Sequence, residues 1–398
     1  MKNRFFSYYP LVATLFLVTG CDYSFQSKPF QPEGLKLEQK PKAELTSFNA
    51  TQIPQKLSEW SLLYLTQGQL KLHSDAVPYH LNTPLFSDYA HKFRSLWIPE
   101  QSKIKVLVNG DLEFPIGSVL SKTFYYPRKD FNKQKLIALQ NDTAHSQGRS
   151  IDLAQNQLIE TRLLIKQLDG WQALPYVWNK QQTEAILEIT GSSQLISLNG
   201  EQTQEFTYMV PDANQCKGCH VTNHTSGELK PIGPKIRHLD LAYEYRPDFS
   251  QNQLIYWQQQ GLIDMLPLSN NVSSFDWRNR NANLAEAARS YLDINCAHCH
   301  NPDGPADTSA LYLNKQNLTK AHLGICKTPV AAGKGTGNRA YDITPGKADQ
   351  SIMVFRMESN DPSIAMPELG RSVIHEEGVE LIKQWINQMD GACTIPAA

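Results

Sequence analysis

The chain has 398 residues, with 38 Lys and Arg against 39 Asp and Glu and a formal net charge of −1. That length is enough for two or three domains with substantial cores. The balanced charge, with no basic run, excludes an electrostatic nucleic-acid footprint, and the absence of an internal repeat excludes a solenoid.

At the N-terminus, Lys2 and Arg4 precede a short apolar run from Leu11 to Val18. The run is too short to span a bilayer, so residues 1–20 read as a signal peptide. It ends in Val18-Thr19-Gly20-Cys21, which resembles the lipobox of bacterial lipoproteins. The resemblance implies cleavage before Cys21, acylation of its thiol and attachment to the periplasmic side of a bacterial membrane, inner or outer. An ordinary signal peptide with an incidental cysteine is the alternative.

Residues 21–50 are polar, with Pro29, Pro32 and Pro41, and predict a lipid-anchored flexible tether. Such a segment reaches roughly 30 Å on average. Gln55–Leu65 predicts a short helix. Beyond it, Asn109-Gly110, Asp169-Gly170 and Asn199-Gly200 are hairpin signals flanked by strand-like runs such as Lys103–Val108, Thr161–Gln167 and Leu195–Leu198. Residues 51–205 therefore predict an antiparallel sandwich or barrel-like β-rich domain. From residue 206 the apolar spacing turns helical, in Gln251–Leu262, Leu284–Ile294 and Val379–Met389. The expected fold class is α+β and multidomain.

The helical half carries Cys216-Lys217-Gly218-Cys219-His220 and Cys296-Ala297-His298-Cys299-His300. Cys-x-x-Cys-His is the attachment pattern of haem c: two thiols add to the two vinyl groups of one porphyrin, and the adjacent imidazole reaches the iron. One chance occurrence is expected only on the order of 0.003 times in a chain with this Cys and His content. The pattern implies two covalently bound haem c groups and divides the half into a first module, residues 206–280, and a second, class I-like cytochrome c domain, residues 281–398. A four-thiolate zinc site made from the two Cys-x-x-Cys pairs is the rival.

His220 and His300 are the expected proximal ligands. Met366, in Ala365-Met366-Pro367 ahead of the last helix, is the expected distal ligand of the second haem. For the first haem, His238 lies in the expected order between motif and closing helix. His224, Met265, His80, His91 and an open iron remain alternatives. Lys235, Arg237 and Arg356 are candidate propionate partners. Cys326 and Cys393 are left over, and in an oxidising compartment they suggest a disulfide.

Several segments resemble an uncharacterised bacterial family of dihaem c-type cytochrome lipoproteins. They are Leu81–Ala90 with Lys92 and Arg94, Glu160–Leu164, Tyr176–Asn179, Val210–Gln215, Thr344–Ser351 and Met366-Pro367. The resemblance implies the domain order and the compartment, and a parallel β-helix protein as a plausible partner, but no reaction.

The leading expectation is electron transfer between a periplasmic redox partner and the respiratory chain. A dihaem enzyme, peroxidase- or oxygenase-like, is the alternative. A third reading makes the β-rich domain a carbohydrate binder lined by Asp88, Tyr89, His91, Trp97, Trp171 and Trp178.

Overall fold

The computed structural model describes residues 38–48, 52–130, 133–136, 148–199, 203–222, 227–264, 273–279, 283–330 and 333–393. The signal peptide, Cys21, His224 and Met265 lie outside those residues. Among the described residues no helix is long and apolar enough to cross a membrane.

The strands are β1 (Leu63–Thr66), β2 (Gln69–Leu72), β3 (Val77–Tyr79), β4 (His91–Trp97), β5 (Lys105–Val106), β6 (Leu112–Glu113), β7 (Val119–Asp130) and β8 (Lys133–Leu136). They continue as β9 (Ser150–Asp152), β10 (Asn156–Gln167), β11 (Gly170–Trp178), β12 (Ala185–Leu187), β13 (Ser192–Asn199), β14 (Thr203–Val210), β15 (Ala242–Arg246) and β16 (Phe249–Asn252). A nine-stranded sheet runs β12-β11-β10-β7-β8-β13-β14, with β4 beside β7 and β3 beside β4. A second sheet has the order β1-β2-β9. Pairing is antiparallel apart from the β8–β13 contact at Leu136 and Leu198. The predicted hairpins at Asn109, Asp169 and Asn199 join β5 to β6, β10 to β11 and β13 to β14.

The two sheets form an unequal sandwich. Alternation along each strand sends every second side chain to the same face. Leu63, Leu65, Leu70, Leu72 and Ile151 from the small sheet meet Phe93, Tyr125, Leu163 and Ile165 from the large one. Each such fully buried side chain contributes about 1.5–3 kcal/mol relative to leaving it exposed. The large sheet's other face is left for the helical half.

Two expectations change. Glu38–Phe48 is packed rather than tethering. The Gln39 amide donates to the Leu65 carbonyl at 2.9 Å, and the Leu65 amide donates to Gln39 Oε1 at 2.8 Å. Phe48 stacks on Trp60 at 5.3 Å, so two apolar anchors, Leu45 and Phe48, override a polar composition. The expected helix over 55–65 shrinks to a 3-10 turn, Leu57–Trp60, which ends at Ser61 with φ 60°. The rest becomes β1, because Leu63 and Leu65 complete the small sheet's buried face.

The helices are α1 (Ala213–His220), α2 (Ile236–Leu239), α3 (Gln253–Gln259), α4 (Leu284–Asn295), α5 (Ile352–Met357) and α6 (Glu376–Asn387). α4 and α6 share one apolar core with α5, and Gly378 of α6 sits against the Tyr291 ring of α4, where a Cβ would collide. Cys326 and Cys393 are joined in a disulfide with an S–S distance of 2.02 Å.

Sheet and helices are tied by polar groups. Phe86 N–H donates to Asn295 Oδ1 at 2.8 Å, and the Tyr89 hydroxyl donates to Glu377 at 2.8 Å. Asp88 Oδ1 accepts both the Ser372 and Val373 amides.

Candidate functional site

α1 starts where Pro211 ends β14's extended run. Asp212 caps it by accepting from the Asn214 and Gln215 amides at 2.7 and 2.8 Å, and the Asp212 N–H in turn donates to Gln215 Oε1 at 3.1 Å. Three positions apart on a helix, Cys216 and Cys219 share a face. The second motif continues directly from α4. Its turn is closed by the Cys299 and His300 amides, which donate to the Cys296 carbonyl at 3.1 and 2.9 Å.

Both motifs line one cavity of about 560 Å3 between the large sheet and the helical half. Cys216, Cys219, His220, Cys296, Cys299, His300 and Met366 all face it. The tautomer of each imidazole follows from its partner. His220 Nδ1 lies 2.8 Å from the Lys230 carbonyl, which can only accept, so Nδ1 carries the proton. His300 Nδ1 lies 3.2 Å from Ser309 Oγ, whose own proton goes to the Ala306 carbonyl at 2.6 Å. His300 Nδ1 must therefore donate as well. Burial pushes the His220 pKa down to about 3 and that of His300 down to about 4, so both rings are neutral with the lone pair on Nε2. That is the state in which imidazole ligates a metal, with the other nitrogen fixed by a protein acceptor.

Met366 is held through its backbone. Its amide donates to the Arg356 carbonyl at 3.0 Å, and its carbonyl accepts from Arg371 at 3.1 Å.

The second cysteines of the two motifs converge. The sulfurs of Cys219 and Cys299 and a ring nitrogen of His298 lie within 4.8 Å of one another. Cys299 and His298 stabilise the Cys219 thiolate and pull its pKa down to about 5, while Cys299 rises in consequence. Burial raises Cys216 and lifts Cys296 to about 12. The four-thiolate zinc arrangement is thus not assembled, since Cys216 and Cys296 stay out of the cluster. His298 also faces the cavity. Two thiols and a neutral imidazole per motif suit covalent attachment of a porphyrin, and the Cys219–His298–Cys299 group alone suits a soft divalent metal.

Other expected residues lie elsewhere. His238 is 2 % exposed and its Nε2 is 3.0 Å from Asp293, which also takes two bonds from Arg237 at 2.8 and 2.9 Å. It does not line the cavity, and neither do His80 and His91. His238 is consumed in a buried ion cluster rather than presented as a distal ligand. As propionate partners, Arg237 is committed to Asp293 and Lys235 to Asp111 at 3.0 Å, while Arg356 faces the cavity beside Glu368 at 3.8 Å. The proposed carbohydrate-binding residues are spent on packing. Trp97 packs at a tilt against Phe48 in the sandwich core, Trp178 bonds Thr161, and Trp171 packs edge-on to Phe114.

Sequence reasoning missed the cavity's sheet wall. Lys92 and Arg94 of β4, Lys122 of β7 and Arg162 of β10 all line it. The signal was present as charges two apart, Lys92-x-Arg94 and Glu160-x-Arg162, inside strand-forming runs. Comparison with family models, curated proteins and solved structures gives no match to this chain.

Proposed function

We propose that the chain is a periplasmic, lipid-anchored dihaem cytochrome c that passes electrons between a periplasmic oxidoreductase and the respiratory chain. The observation that carries this reading is the shared cavity, into which both Cys-x-x-Cys-His motifs open with the Nε2 lone pair of His220 and of His300 free. Haem c supplies one-electron chemistry at iron. Around it, Cys216 with Cys219 and Cys296 with Cys299 would hold the porphyrins, and His220 and His300 would take the proximal positions. Met366 would take the distal position of the second, and the convergence of Cys219 with Cys299 would bring the two attachment edges together. Two cytochrome modules built around α1 and α4, the lipid anchor at Cys21 and membership of the resembled dihaem lipoprotein family belong to the same proposal, with a parallel β-helix protein as candidate partner.

A second reading, a dihaem redox enzyme with an open first iron, is favoured by one observation. None of His80, His91 and His238 reaches the cavity.

An absorption spectrum of the reduced protein before and after carbon monoxide, with haem per chain counted on the same sample, tests both. Two haems and no perturbation support the carrier. Two haems with half of the absorbance perturbed support the enzyme. Zero haem with one bound zinc per chain overturns both and points to the Cys219–His298–Cys299 group.

A further inference from the structure

The sheet wall of the cavity has an unusual register. Arg94 of β4 is directly opposite Lys122 of β7, and Lys122 is directly opposite Arg162 of β10. Three cations therefore stand side by side across three adjacent central strands. Like charges directly opposite in a sheet repel. A row of them in a low-dielectric wall is costly unless something negative faces it.

Among the described residues, the protein supplies part of that charge and no more. Glu160, fully buried, takes two bonds from Arg162 at 2.7 and 2.6 Å and a third from the Tyr208 hydroxyl at 2.7 Å. Arg94 is only 5 % exposed, and among the described residues neither Arg94 nor Lys122 is in an ion pair. Phe124 offers its ring face to Lys122 at 5.2 Å and to Arg162 at 4.5 Å, which eases the repulsion without neutralising it. Lys122 feels the imbalance: burial and its cationic neighbours Arg162, Arg94 and Lys92 push its pKa down to about 7. The rest of the cavity does not compensate, since its two lining carboxylates, Asp342 and Glu368, already face Lys327 and Arg356.

We propose that the Arg94–Lys122–Arg162 row is an anion-binding site that holds a carboxylate or oxyanion group inside the cavity, facing the first motif. It rests partly on the dihaem reading, because two sources share this chemistry: the propionates of the first haem, or a small free anion bound beside it. Either would accept charge-assisted hydrogen bonds from the row.

The test uses full-length, haem-loaded protein with haem per chain counted on each sample. Wild type and Lys122→Gln, with Arg94→Gln in reserve should the first not fold, are titrated with malonate and phosphate by calorimetry. Melting temperatures and both haem potentials are recorded. A free-anion site gives saturable binding weakened at least tenfold in the variant. A propionate site gives no binding by the loaded protein, but the variant lowers the potential of one haem and melts earlier. A variant that melts later, binds no anion in either form and leaves both potentials unchanged overturns the proposal, since removing one of three like charges would then only relieve repulsion. A preparation without haem that still binds malonate keeps the anion site and sinks the dihaem reading. A haem-loaded protein failing all anion criteria does the reverse.

Discussion

Arg371 donates to the carbonyl of Met366 at 3.1 Å, and the same Nη2 reaches the carbonyls of Arg356, Met357 and Ser359 at 3.4, 3.4 and 2.7 Å. One guanidinium thus closes the C-terminal end of α5 onto the loop that presents the methionine. Arg371→Ala leaves several carbonyls unsatisfied, at about 1–3 kcal/mol for each that stays buried. On the proposed dihaem reading, the expected outcome is a lower potential for the second haem and a gain in carbon monoxide binding there, with a smaller loss in melting temperature. Redox titration separates this loss of Met366 positioning from simple destabilisation.

Asp293 is the counter-ion of a buried cluster. Arg237 and His238 both donate to it, and although burial opposes the charged form, those bonds hold its carboxyl below the usual carboxylate range. Its contribution is present above the unfolded value of about 4 and drains as pH falls further. Burial also depresses His238, so the folded state resists protonating it, and stability falls as pH drops through about 6.5. Both effects predict acid lability. Asp293→Ala is expected to cost about 3–5 kcal/mol by stranding Arg237, measured by denaturant titration at pH 7, and to flatten the acid limb of stability against pH.

Gly378 lies against the Tyr291 ring where α6 crosses α4. Gly378→Ala inserts a methyl group into that contact, and overpacking of this kind costs about 1–3 kcal/mol. A Tyr291→Phe, Gly378→Ala double variant that recovers part of the loss in a thermal melt would locate the strain at the hydroxyl end of the ring.

On the proposed dihaem reading, each motif is expected to load independently. Cys216→Ser with Cys219→Ser lowers haem per chain from two to one, and Cys296→Ser with Cys299→Ser does the same. Intact mass and haem count on purified protein check this. A fall to zero in either pair would mean that loading of one motif requires the other.

Much of the fold was legible. Asn109, Asp169 and Asn199 marked three hairpins because a tight turn needs its residues locally. α4 and α6 were visible from apolar periodicity, although only α6 buries a single stripe and α4 is buried on all sides from Ala287 to Asn295. The two Cys-x-x-Cys-His motifs were legible as local patterns, but their meeting on one cavity depends on tertiary contact. What escaped notice depends on register and tertiary contact. Phe48 belongs to the core only because Trp60 and Trp97 come to it. His238 looked like a ligand in sequence order, and only the approach of Asp293, 55 residues away, spends it. Arg94, Lys122 and Arg162 read as three scattered charges until the pairing sets them in a row.

The large sheet turns unlike faces to its two sides. Thr123 Oγ1 meets Thr161 Oγ1 at 2.8 Å, while their chain neighbours Lys122 and Arg162 turn to the cavity. Inserting a single residue in β7 ahead of Lys122 would swap every downstream side chain to the opposite face. Lys122 would enter the sandwich core, and Tyr125 would leave it. Gains and losses of length in this strand are therefore confined to the turns at its ends.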